Sequence, residues 1–240
     1  MSLSRRRVQA IFRKELREYR RNGFIVSTMA VIPLIFVIFP LIEVLALPAS
    51  SASALVNGDP LVILLGIPAL VPAVLAAYSV VGERQQATLE PVLTTPIPRE
   101  EFLLGKALAA LLPSLAISLA VYAFFLACVD LFARSAVVAA VFQGPDLLAQ
   151  LLFTPLLAAW SIWVGIGIST RSSDVRVAQQ LGSVASLPPI AVAYLIALNV
   201  IHASLGLALG VAAALLLVDG LGWRIVSAMF DREPLITGMR

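Results

Sequence analysis

Long apolar runs alternate with short polar segments along this chain. Six runs reach the roughly 20 residues that a helix needs to cross ~30 Å of hydrocarbon. They are Phe24–Leu47, Leu61–Gly82, Phe102–Leu131, Leu147–Thr170, Gly182–Ile201 and Ser204–Phe230. The runs are continuously apolar and lack the period of two that a lipid-facing barrel strand would show. The pattern predicts an all-α integral membrane protein with six transmembrane helices. The third and sixth runs are long enough to tilt or to project from the bilayer. The fifth and sixth meet near Asn199–Ala203, which predicts a tight antiparallel hairpin. Proline falls inside most of the runs, at Pro33, Pro40, Pro68, Pro72, Pro113, Pro155 and Pro188-Pro189, so bent helices are expected.

Before the first run the pattern changes. Val8, Ile11, Phe12, Leu16 and Tyr19 recur at helical spacing, with Arg13, Lys14, Arg17, Arg20 and Arg21 on the other side. This predicts an amphipathic helix over residues 1–23 lying in the membrane interface, its basic side chains among lipid headgroups. Glu15 interrupts the apolar stripe. Asn22-Gly23 ends the helix and lets the chain turn into the first span.

The second and third runs are separated by a dense polar segment, GERQQATLEPVLTTPIPREEFLLGK, residues 82–106. Residues 83–94 can form a short helix with an apolar patch of Leu89, Val92 and Leu93. Thr94-Thr95-Pro96-Ile97-Pro98 stops it. Pro98, Glu100 and Glu101 suit the first turn of the next helix, the acids favouring its positive end. The prediction is a rigid helix–turn–helix knob over 83–101, suited to docking in a partner's groove.

Composition agrees with membrane insertion: 60% of the 240 residues are hydrophobic and 13% charged. The net charge of +3 matters less than its distribution. Sixteen of the seventeen Lys/Arg fall in the segments that a six-span arrangement puts on one side. Basic loops stay in the cytoplasm, so both termini and the 83–101 knob are expected there. That leaves 24–230 as the membrane domain and 231–240 as a cytoplasmic tail. Ala52-Ser53-Ala54 resembles a signal-peptidase site, but the preceding apolar run is too long for a signal peptide, and the first span is expected to stay uncleaved. The basic arm beside a membrane points to lipids rather than nucleic acid.

Catalytic constellations are missing. One cysteine, Cys128, and one histidine, His202, offer no disulfide framework, thiolate cluster or histidine metal site. Gly105-Lys106 lacks the upstream glycine and following Ser/Thr of a Walker A loop. Glu43, near the outer end of the first span, and Asp219, deep in the last, are the candidates for a translocation path. Gly206 and Gly210, continued by Ala214, form a small-residue stripe expected to pack within the chain or against a second copy.

The polar segment also resembles the signature of ATP-binding-cassette permeases of the second type. Gly82, Glu83, Arg84, Thr88, Leu89, Glu90, Leu93, Thr95, Pro96, Arg99, Gly105 and Lys106 carry the resemblance. Pro91 departs from it, where the family commonly has Leu. The arm, RRRVQAIFRKELREYRRN, is similar to the family's interfacial helix, and FDREPLIT at the end resembles its tail. The resemblance implies a permease subunit of an exporter, in a prokaryotic plasma membrane, without an ATPase site of its own. It implies a second permease copy, commonly identical, and two separate ATPase subunits that bind ATP and Mg. It further implies that 83–95 is the coupling helix seated on the ATPase. A membrane scaffold that holds an ATPase without transporting, and a proton-coupled carrier using Asp219, remain as alternatives.

Overall fold

The computed structural model describes residues 4–48, 60–85, 97–197 and 204–229. The described residues form helices and no strand. In chain order the helices are α1 (Arg5–Arg21), α2 (Gly23–Ala46), α3 (Pro60–Leu64), α4 (Gly66–Gln85), α5 (Arg99–Phe132), α6 (Ser135–Val141), α7 (Gly144–Arg171), α8 (Val175–Ala185), α9 (Leu187–Ala197) and α10 (Leu205–Met229).

Five helical stretches are long and apolar enough to cross a membrane: α2, α3–α4 from Leu61, α5, α7 and α10. Their outward faces carry large apolar side chains such as Phe39, Leu131, Phe132 and Leu217. Hydrocarbon, not water, is the medium that such faces suit. The chain is a multi-pass membrane protein.

The fifth predicted span is not one helix. Gly182–Ile201 is divided between α8 and α9, with a turn at Ser186. The cause is local. Pro188 and Pro189 have no N–H to give to the carbonyls one turn earlier, so the ladder breaks just before them. Ser186 bridges the break, donating its hydroxyl to Gly182 O at 2.8 Å. The predicted turn near 199–203 lies outside the described residues.

α4 occupies the centre of the bundle. It packs most extensively on α7 and also contacts α2, α5 and α8. Small residues set these distances. A Cβ on Gly165 of α7 would stand 2.8 Å from Ala76 Cβ and 2.9 Å from Ala73 O. Gly182 of α8 faces the same seam, its nearest contacts being Ala73, Ala77 and Gly165. Three helices thus meet almost backbone to backbone. α10 packs on α7, with Gly222 under the Trp163 side chain and Trp223 edge-on to Trp163 at 5.6 Å. The Gly206/Gly210 stripe is not part of this packing. Among the described residues, a Cβ at either position would meet nothing within 4 Å, so the expected contact within the chain is not made there.

α1 lies across the start of α5 and against α2. Asn22 both ends α1 and caps α2, its Oδ1 accepting from Phe24 N at 3.1 Å and Ile25 N at 3.3 Å. Such a cap is worth ~1 kcal/mol. α5 is 34 residues long, about 51 Å at 1.5 Å per residue, so it exceeds the hydrocarbon thickness. Its excess at the start carries Glu101 and Lys106 to α1.

Candidate coupling site

At the arm end of the bundle, α1, α4 and α5 converge on a buried ion-pair cluster. Apolar geometry brings them together first. Gly105 of α5 leaves room for Ile11 and for the backbone at Val8, whose carbonyl would lie 3.3 Å from a Cβ there. One residue on, Lys106 is fully buried at 0% exposure. Its Nζ lies 2.8 Å from Glu15 Oε1, 3.0 Å from Glu83 Oε2 and 2.7 Å from Ser79 O. The Phe102 ring centroid is 4.9 Å away. Glu15 and Glu83 are themselves 1% and 4% exposed.

Lys14 closes the cluster from the rim. Its ammonium pairs with Glu83 Oε1 and stands 3.0 Å from Glu18 and 3.3 Å from Glu15. Buried charge is costly unless it is paired, and here two ammonium groups serve three carboxylates. Burial works to lower the Lys14 pKa, but Glu15 and Glu83 outweigh it and hold the ammonium above the ordinary lysine range. Glu15 is shifted the other way. Burial, aided by the Glu83 charge and opposed by Lys106, raises its carboxyl above the usual carboxylate range. Tyr19, buried beside them, is raised by burial first and then by the charges of Glu15 and Glu83. Oxygens of Glu15, Glu18 and Glu83 come within 4.8 Å of one another, a spacing that could suit a cation. The Lys14 ammonium already supplies one.

A second link ties the arm to α5. Arg7 grips Glu101 through Nε at 2.5 Å and Nη2 at 2.9 Å, and Ser4 N donates to Glu101 at 2.8 Å. On its other side the end of α4 holds the α7–α8 connection. Arg84 donates to Ser172 O at 2.8 Å and Thr170 O at 3.0 Å. A guanidinium there satisfies carbonyls that α7 leaves unpaired at its end. Gln85 adds a long contact to Ser173 O at 3.4 Å.

Ser169 of α7 reaches into α4 itself. Its hydroxyl donates to Ala77 O at 2.5 Å and accepts from Val81 N at 3.0 Å and Val80 N at 3.2 Å. In an unbroken helix Val81 N would bond directly to Ala77 O. These contacts lie about one turn before Glu83.

The sequence-predicted residues fall into three groups. Glu83 and Arg84 are brought together at this site, but their side chains are spent inside the chain rather than presented outward. Arg99 is exposed at the first residue of α5. Thr88, Leu89, Glu90, Leu93, Thr95 and Pro96 lie outside the described residues. In the arm, Arg13, Arg17, Arg20 and Arg21 are exposed, whereas Lys14 turns to the acidic cluster. Glu43 is exposed near the far end of α2. Asp219 sits about 15 Å from the arm end of α10 by helical rise, so the two acids lie at different depths. Both Asp219 oxygens are shielded and have no hydrogen-bond partner among the described residues.

Glu15, Lys106, Glu101, Arg7 and Ser169 were not predicted as site residues. Glu15 gave the one usable signal, a charge on an apolar helical stripe. Its partner, 91 positions away, could not be named from spacing.

A search of curated proteins found no match to the chain. The family profile described as ABC-2 family transporter protein matches residues 9–230, which include most of the arm, the ion-pair cluster and all the candidate spans. This chain belongs to the ABC-2 family of transporter proteins.

Proposed function

We propose that the chain is the transmembrane permease subunit of an ATP-driven exporter. ATP hydrolysis takes place on separate ATPase subunits at the cytoplasmic face. Residues 83–95, which begin in the last turn of α4, are the coupling helix that seats on the ATPase, and a second permease copy completes the pathway across a prokaryotic plasma membrane. Six spans with both termini in the cytoplasm complete the reading, α8 and α9 together forming the fifth.

One observation carries this reading. The helix that leads into residues 86–96 is α4, the most buried span, and its end is gripped on two sides. Glu83 and the Ser79 carbonyl tie it to α1 and α5 through the lysines. Arg84 ties it to the end of α7. A displacement delivered to residues 86–96 therefore reaches the centre of the bundle and three of its neighbours together. Positive charge at the arm end supports the cytoplasmic placement. Chemical energy has to be supplied from outside the chain, because no nucleotide-binding loop occurs in the sequence.

Co-purification with a cassette ATPase tests the assignment. Leu89→Asp and Glu90→Lys are expected to abolish ATPase retention while leaving the thermal stability of the permease unchanged. Retention at parental levels in both variants would overturn the coupling assignment. A scaffold would retain the ATPase as well, so the second measurement is ATP-dependent efflux from liposomes, which a scaffold does not support.

A further inference from the structure

A cleft of about 830 Å³ opens between α2, α4 and α8 at the arm end of the bundle. Its volume lies within the range of small-molecule sites. One wall is Phe24, Ser27, Thr28, Val31 and Ile32 of α2, the floor is Val74 of α4, and the other wall is Arg176, Gln179, Gln180, Ser183 and Val184 of α8. Phe24, Val31 and Val184 are exposed at its rim, so the cleft opens sideways through an apolar mouth.

The α8 wall brings hydrogen-bond donors to the cleft. Gln179 is only 7% exposed, and its Nε2 has no hydrogen-bond partner among the described residues. A buried amide donor left without an acceptor costs free energy that a ligand oxygen would recover. Arg176 lies one turn nearer the arm end, exposed and without an ion pair among the described residues. Gln180 stands beside it. The hydroxyls of Ser27 and Thr28 donate within α2, to Phe24 O, and so present acceptor lone pairs only. The nearest carboxylate on α8, Asp174, is engaged as the helix cap and accepts from Arg176 N at 2.7 Å and Val177 N at 3.2 Å. The exposed Arg20 and Arg21 lie just before the Asn22 break that precedes Phe24. From Arg176 to Val184 the cleft deepens by about 12 Å of helical rise. On α8 the charge and the amide donors thus stand toward the arm end, and Val31, Ile32, Val74 and Val184 line the deeper part of the cleft.

We infer that this cleft binds an anionic acyl lipid taken from the cytoplasmic leaflet. Its acidic headgroup sits on Arg176, Gln179 and Gln180, and its chain lies between α2 and α8. A guanidinium with neighbouring amide donors matches the oxygens of a phosphodiester. A zwitterionic headgroup of the same size adds a cation beside Arg176 and fits less well. That this lipid class is also what the protein exports rests on the permease reading given above; the binding site itself does not.

The test uses the full chain purified in detergent, with phosphatidylglycerol and phosphatidylcholine of equal chain length as probes and native mass spectrometry as the readout. Phosphatidylglycerol is expected to bind about tenfold more tightly, the scale of one charged hydrogen bond. Arg176→Gln should erase that preference without abolishing binding, and Ser183→Phe, which fills the cleft, should weaken both lipids. Arg13→Gln with Arg17→Gln should leave the preference intact, separating the cleft from lipid held on the arm. Preference that survives Arg176→Gln, or parental binding by Ser183→Phe, would overturn the proposal. So would a second copy on this face, seen as a dimer that Ser183→Phe dissociates with no change in lipid bound. No ATPase is present in these measurements, so loss of ATPase docking and loss of the lipid site register separately.

Discussion

Lys106→Met removes an ammonium that has no route to solvent. The variant keeps the stem and its packing near Phe102 but leaves Glu15, Glu83 and the Ser79 carbonyl without a donor that stood 2.8, 3.0 and 2.7 Å away. Removing one partner from a buried ion pair costs ~3–5 kcal/mol, mostly as the charge left behind. Two features hold the cost near ~3 kcal/mol. Lys14 still pairs with Glu83, and Glu15, whose carboxyl is already raised by burial, takes up a proton. Adding Glu15→Gln removes the stranded charge, so the double variant should lie within ~1 kcal/mol of the parent. Unfolding of the four members of the cycle, followed in one detergent, measures this coupling. A Lys106→Met variant as stable as the parent, or two substitutions whose costs simply add, would refute the buried-pair reasoning.

Gly165→Leu should destabilise by ~1–3 kcal/mol, since even its Cβ meets α4 at 2.8 Å; thermal unfolding reads it. Ser169→Ala removes the hydroxyl inserted in α4, and the Val80 and Val81 amides should change their hydrogen-exchange protection while those of α2 do not. Arg84→Gln should loosen the α7–α8 connection, read as faster proteolysis near Ser172–Asp174, at a cost of ~1–3 kcal/mol. High pH should release the arm. Lys14 and Tyr19 are both held above their ordinary values of 10.5 and 10.0. Their contribution is complete below those values and is lost as pH rises through the higher folded-state values, because the unfolded chain gives up these protons first. Protease sensitivity of α1 should therefore rise above about pH 10.5 and not between pH 7 and 9.

Much of the architecture is legible in the sequence because hydrocarbon thickness imposes a length on each apolar run. α2, α4, α5, α7 and α10 follow from that length alone. Hydropathy does not register the break at Ser186, since Leu187, Pro188 and Pro189 are all apolar; the prolines report it through missing donors. α6 arises within a segment too short to be read as a span. The site is less legible. Periodicity places Lys14 on the polar face of the arm and gives it to lipid, but a lysine stem can curl to a carboxylate that only the fold brings near. Glu83 in a loop-flanking motif reads as exposed, and its burial depends on α1 folding over it. Gly105-Lys106 acquires a physical meaning from the same contact, the glycine admitting the arm and the lysine pairing with its buried Glu15. Long-range ion pairs of this kind leave no local pattern.

Hydrogen exchange at the Val80 and Val81 amides, with a cassette ATPase bound and a non-hydrolysable ATP analogue added, tests most directly whether motion passes from the ATPase through the end of α4. The analogue should alter exchange at these two amides in the parent, and most of that response should vanish in Lys106→Met/Glu15→Gln although the ATPase stays bound. An unaltered α4 in the parent complex, or an equal response in the double variant, would contradict the account.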